Sequence, residues 1–214
     1  MLYFIYGTIF GSFLTLCAER LPLRKTIFYG RSACQHCGQE LRWVDLIPLV
    51  SQCLGHSRCR YCQARYSWSC FVGEALSGLI FLAGDLAWLT IPECVLLLLA
   101  LFFSLTDYYY GELENRVFWF SCLGFWLWQP AIQLWQGLLV LVGLLIFVKR
   151  HWLGLGDVLL VTFWAFYLPL LLFLWLLLLA SFSALLWLLW QQKKGRIPFV
   201  PFLASGLAVV LLLF

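Results

Sequence analysis

The chain has 214 residues, 64% of them hydrophobic and only 11% charged, with a mean hydropathy of +0.91 and a formal net charge of +4. That composition excludes a soluble globular domain, gives no sign of a nucleic-acid partner, and implies an integral membrane protein in contact with a lipid bilayer.

Taken in chain order, apolar runs fall at 1–18, 71–89, 91–106, 117–129, 131–148, 158–168, 170–190 and 197–214, the long stretch 158–190 being divided at Pro169. The first run lacks a basic leader region and a small-residue cleavage signal, so it reads as a retained helix and not as a secretory signal. The runs 117–129 and 158–168 are short for a span and require tilt or enclosure by other helices. The expected fold is an all-α polytopic membrane protein of about eight transmembrane helices. Its divisions are a first helix at 1–18, a cytoplasmic loop region at 19–69 and a multi-span core at 70–214.

Basic loop residues mark the cytoplasmic side of a membrane protein. With the N-terminus outside, eight spans place all 14 Lys and Arg residues on that side. They are Arg20, Arg24, Lys25, Arg31, Arg42, Arg58, Arg60 and Arg65 in the first loop, then Arg116, Lys149, Arg150, Lys193, Lys194 and Arg196. The same arrangement brings Asp107 and Asp157 to the cytoplasmic face.

The polar segment 19–69 holds Cys34-Gln-His-Cys37 and Cys59-Arg-Tyr-Cys62. Two paired cysteines at this separation match a structural zinc site, and in a reducing cytoplasm four thiols serve as ligands more readily than as disulfides. So short a segment buries little core, and a metal would supply the missing stability. Cys17, Cys53, Cys70, Cys94 and Cys122 show no pairing and read as small packing residues, and neither His36 nor His56 is expected to bind metal.

Asp107 in Ser104-Leu-Thr-Asp107 and Asp157 in Gly154-Leu-Gly156-Asp157 are acidic residues at the edges of spans, where ionisable groups are functional suspects by default. Two carboxylates can divide one proton between a base that activates water and an acid that protonates the leaving group, as an aspartic hydrolase requires. Gly154 and Gly156 allow a substrate strand close approach. Glu112 and Glu114 add negative charge beside the pair, with Arg116 the nearby cation, and are expected to bind substrate or shape the loop. Taken singly, Asp157 also fits an N-cap and Asp107 a solvated residue beyond a helix end. Asp85 and Glu93 read as solvated loop residues. Glu74 reads either as a cap of the second span or as part of a polar pocket for a methyl donor.

In this order, Gly11-Ser-Phe-Leu14 with Arg20-Leu-Pro22, Asp45-Leu-Ile-Pro48-Leu-Val-Ser51 between the cysteine pairs, Gly154-Leu-Gly156-Asp157-Val158 and Ile197-Pro-Phe199-Val-Pro-Phe202 resemble the type IV prepilin peptidases along the whole chain. The resemblance implies a GxGD aspartic peptidase of the bacterial plasma membrane. Such an enzyme removes the short basic leader of prepilin or pseudopilin precursors at the cytoplasmic face. Many members also methylate the new N-terminus with S-adenosylmethionine. The catalytic pair carries over to Asp107 and Asp157, and the zinc ligands to Cys34, Cys37, Cys59 and Cys62. Three positions depart from the family pattern: Leu113-Glu114-Asn115 lacks the proline found after the first aspartate, Leu159 replaces a lysine, and Arg65-Tyr66-Ser67 replaces Arg-Tyr-Pro. A proton-coupled transporter and a presenilin-type intramembrane protease are the alternatives. The first calls for acids near the bilayer midplane and an internal repeat, the second for a Pro-Ala-Leu that the chain does not have.

Overall fold

The computed structural model describes residues 1–27, 33–34, 36–42, 47–49, 58–65, 67–128, 133–150, 154–191 and 198–213. Arg31, Asp45, Ser51, Cys53, His56, Tyr66, Lys193, Lys194, Arg196 and Ile197, named above, lie outside the described residues.

The architecture is all-α. Among the described residues eight helices follow one another: α1 (Leu2–Arg20), α2 (Trp68–Asp85), α3 (Ile91–Tyr110), α4 (Asn115–Trp128), α5 (Leu134–Lys149), α6 (Leu155–Tyr167), α7 (Leu170–Gln191) and α8 (Val200–Leu213). By length and hydropathy α1, α3 and α7 can cross a membrane, and α5, α6 and α8 are shorter apolar helices. Large apolar side chains such as Phe120, Trp135 and Trp190 are exposed on the helix surfaces, which suits contact with lipid. The break at Pro169 is realised, with α6 ending one residue before Leu168 and α7 starting at Leu170.

Helix ends moved where local capping outweighed hydropathy. Helix α3 runs through Asp107 to Tyr110 and stops at Gly111, whose φ of +65° suits a residue without Cβ and whose N–H closes on the Asp107 carbonyl at 2.8 Å. Asp107 is therefore inside a helix and half-buried, not a solvated residue beyond its end. Helix α2 begins earlier than expected because Ser67 caps it, accepting from the Ser69 N–H at 3.4 Å. Glu93 is likewise a capping residue and not a free loop acid: its Oε2 accepts from the Thr90 N–H at 2.6 Å and from the Thr90 hydroxyl at 2.7 Å.

The chain divides within α3 into two compact units, Met1–Leu105 and Thr106–Phe214. In the first, α1 and α2 meet almost backbone to backbone. A Cβ on Gly7 would lie 2.7 Å from the Ser77 carbonyl, and one on Gly11 would lie 2.7 Å from the Gly73 carbonyl. The Gly7-x-x-x-Gly11 spacing puts both glycines on one face, the pattern by which apolar helices approach closely in a membrane. Thr8 and Thr15 on this helix donate their hydroxyls to the Ile5 and Gly11 carbonyls at 2.8 and 2.9 Å.

In the second unit α6 is the central element. Its 13 residues span about 20 Å at 1.5 Å per residue, short of the ~30 Å hydrocarbon core. The shortfall fits its surroundings, since Val158, Leu160, Val161, Phe163, Trp164 and Ala165 are all buried by protein. Phe118 and Phe125 of α4 meet Phe163 edge-on at 6.0 and 5.6 Å, and Phe125 meets Tyr167 at 5.2 Å, a ladder that fixes α4 against α6. On α5, Gly137 receives the Phe166 ring, and the Gln136 amide donates to the Leu168 carbonyl at 3.1 Å. Helix α8 packs on α7 through Gly206, where a Cβ would lie 3.0 Å from the Leu176 carbonyl.

Candidate functional site

Asp107 and Asp157 lie in the same compact unit, each at a helix terminus. Asp107 projects from the last turn of α3, and its Oδ2 accepts from the backbone N–H of Val200 at 3.1 Å. Val200 is the first residue of α8 and stands between Pro198 and Pro201, neither of which has an N–H to offer. The Asp107 carboxylate thus meets one of the few donors at the start of α8, and it does so at the end of the helix dipole that favours negative charge.

Asp157 sits at the third position of α6. The N-cap is Gly154, with φ of −71° and ψ of 146°, so Asp157 does not itself cap the helix. Its carboxylate reaches back instead to the Gly154 backbone N–H, the same geometry that Glu93 makes with Thr90. A Cβ on Gly154 would lie 3.3 Å from the Asp157 Oδ2, and one on Gly156 would lie 3.0 Å from the Leu113 Cβ. Both glycines therefore serve close approach, the second letting the α3–α4 turn press on the first turn of α6. Asp107 and Asp157 lie within electrostatic reach of one another, and this separates Asp157 from Glu93, which shares its local role.

The turn 111–114 that carries Leu113 also carries the two glutamates. Glu112 is exposed, while Glu114 is largely covered and faces Arg116 at 3.8 Å. One of the two charges is accordingly offset, and Glu112 is the freer carrier of negative potential beside the pair.

In the first unit the four cysteines converge. Cys34, Cys37, Cys59 and Cys62 place their Sγ atoms within 4.8 Å of one another. The Cys34–Cys62 and Cys37–Cys59 separations are 3.7 and 4.0 Å, too long for disulfides. A tetrahedral zinc with bonds of about 2.3 Å needs sulfurs roughly 3.8 Å apart, so the donor set fits that ion without His36. The two halves are built alike. Cys34 and Cys59 donate to the Gln39 and Ala64 carbonyls at 2.9 and 2.8 Å, while Gly38 and Gln63 donate back to the Cys34 and Cys59 carbonyls, each at 2.9 Å. Gly38 and Gln63 occupy the left-handed region at φ +71° and +58°. Isolated bridges Ala33–Glu40 and Arg58–Arg65 close the two knuckles.

A family model described as the bacterial peptidase A24 N-terminal domain matches residues 5–88, a stretch holding most of α1, both knuckles and α2. The chain is 33% identical over 194 residues to the type 4 prepilin-like proteins leader peptide-processing enzyme of Escherichia coli O78:H11, covering 72% of this chain and 71% of that protein. The chain belongs to the type IV prepilin peptidase family. It is also similar to prepilin leader peptidase/N-methyltransferases of Vibrio cholerae, 35% identical over 98 residues, and of Bacillus subtilis, 29% identical over 118 residues. These matches span 42% and 53% of this chain and 38% and 48% of those relatives. No solved structure matches the chain.

Family membership leaves individual roles to be read from the geometry. Sequence reasoning set out the motif Ile197-Pro-Phe199-Val-Pro without a role, yet its Val200 N–H is what meets Asp107. The two prolines around a helix start were the available signal. Glu74 is not a cap of α2, since Ser67 performs that task and Glu74 lies well inside the helix.

Proposed function

We propose that this chain is a membrane aspartic endopeptidase that removes the basic leader of type IV prepilin or pseudopilin precursors at the cytoplasmic face of the plasma membrane. The observation that carries the reading is that Asp107 and Asp157 stand at helix termini of one compact unit, within electrostatic reach of one another. In the reaction one carboxylate, ionised, takes a proton from water as it attacks the scissile carbonyl, and the other, protonated, delivers its proton to the leaving amine. The pair titrates as one system, so the proton is assigned to the pair and not to either residue. Gly154 leaves room for the Asp157 carboxylate and Gly156 for Leu113 of the α3–α4 turn, and that turn offers the charges of Glu112 and, offset by Arg116, Glu114 to the basic leader. Carboxylates at helix ends suit this role better than a transport relay, which calls for acids near the bilayer midplane.

Cys34, Cys37, Cys59 and Cys62 would hold zinc in a structural role, with all four positions taken by protein sulfur and none left for substrate. The orientation we propose has the N-terminus outside and the 19–69 segment and the site in the cytoplasm, supported by the one-sided distribution of Lys and Arg. Methylation of the new N-terminus with S-adenosylmethionine is supported by the names of the relatives.

The test is co-expression with a basic-leader prepilin, followed by mass spectrometry of the prepilin N-terminus. Loss of the leader supports the peptidase, and an added methyl mass supports the second activity. An intact leader, with the enzyme inserted and folded, defeats the reading.

A further inference from the structure

Glu74 is an acid inside an apolar helix, 5% exposed. An ionisable group so placed costs free energy unless a partner meets it, and a leucine would fill the space at no such cost. Its Oε2 accepts from the backbone N–H of Leu49 at 2.8 Å. Leu49 in turn has φ of +58°, a conformation that side chains with a Cβ avoid. In sequence Leu49 lies about midway between Cys37 and Cys59, within the excursion that leaves one knuckle and returns to the other. The base of this contact is rigid, because a Cβ on Gly11 of α1 would come within 2.9 Å of the Glu74 Cα.

We propose that Glu74 is a positioning residue: its carboxylate pins the described turn 47–49, which lies in sequence between the two cysteine knuckles, onto helix α2. The hydrogen bond offsets the backbone strain at Leu49, so the two features are halves of one device. Cap formation is not the reason for the acid, since Ser67 caps α2. The inference is independent of the peptidase reading and gives the Pro48-Leu49 part of the loop motif a physical task.

The test is limited trypsin digestion of the full chain in lipid nanodiscs, read as the rate of cutting after Arg42 and Arg58. Cutting after Lys193 and Lys194 serves as the control for general unfolding. Glu74→Leu, which removes the acceptor, raises the first rate about tenfold and leaves the second unchanged. Glu74→Gln keeps an acceptor and stays within about twofold of the parent. Leu49→Gly relieves the strained φ and slows cutting about threefold, in the parent and in Glu74→Leu alike. Parental cutting of Glu74→Leu, equal acceleration by Gln and Leu, or acceleration by Leu49→Gly would overturn the proposal. If Glu74→Leu also alters the control, Glu74→Gln and Leu49→Gly decide by the same criteria.

Discussion

Val200 donates its backbone N–H to the Asp107 carboxylate at 3.1 Å, so that a side chain from the last turn of α3 closes the first turn of α8. In the proposed mechanism this carboxylate has a chemical task beside its structural one, and the choice of substitution separates them.

Asp107→Asn keeps an oxygen for Val200 and should leave the fold intact, whereas Asp107→Ala loses the contact as well and should cost about 1 kcal/mol of stability. Asp157→Asn similarly keeps an acceptor for Gly154. Both amides should reduce prepilin cleavage by at least about 100-fold, because neither exchanges protons as a carboxyl does. Thermal unfolding and mass spectrometry of the prepilin check the two halves. Cleavage near the parental rate in either amide variant sinks the two-carboxylate mechanism.

Gly156→Ala should slow cleavage about tenfold without lowering stability. Its new Cβ meets Leu113 at 3.0 Å and shifts the first turn of α6, and small displacements of a reacting group are costly, while alanine is the better helix former. Leu113→Ala in the same chain should restore much of the rate by making room. A double variant as slow as the single one would show that steric pressure is not the cause.

The charge beside the site predicts an effect on substrate choice. Because Glu114 faces Arg116, Glu112→Gln alone should account for most of the loss in cleavage of a basic leader, with Glu114→Gln adding little. A neutralised leader should be indifferent to both, and raising salt should narrow the difference between leaders. If both leaders suffer equally at every salt concentration, the glutamates shape the loop and do not attract substrate.

Metal analysis of purified protein should find about one zinc per chain, lost in Cys34→Ser and in Cys59→Ser. Gln63→Gly should slow zinc release to a chelator, since Gln63 holds φ of +58° where Gly38 holds the equivalent place at +71°. The expected gain is up to about 1 kcal/mol. Faster release from Gln63→Gly would contradict the equivalence of the two knuckles.

Cysteines placed at Ser51 and Lys193, in a background with the native reactive thiols replaced, should react with an impermeant reagent only after the inner face of the membrane is opened. Reaction in intact cells at either position would reverse the proposed orientation.

Hydropathy located the eight helices seen among the described residues, and the knuckle spacing located the four clustered thiols, because both signals are local and repeat along the chain. Helix ends were less legible. Asp107 read as a terminus since charge is unfavourable in a span, but the end of α3 is decided by the backbone of Gly111. Asp157 and Glu93 show the same limit from the other side: each reaches back to a backbone N–H three residues earlier, which composition does not reveal. The contacts of Asp107 with Val200 and of Glu74 with Leu49 join residues far apart in sequence, and periodicity carries no information about such pairs.

The near-contact of the α1 and α2 backbones at Gly7, Gly11, Gly73 and Gly78 has a consequence for how freely this sequence can drift. Along the lipid-exposed faces a leucine can give way to isoleucine, phenylalanine or tryptophan, because a fluid solvent adjusts to each shape. At Gly11 even a methyl group would strike the opposing main chain, and no rotamer change could make room for it. A saturation library of the first 85 residues should therefore divide sharply, with nearly silent positions on the outside and glycines on the inside that accept no replacement.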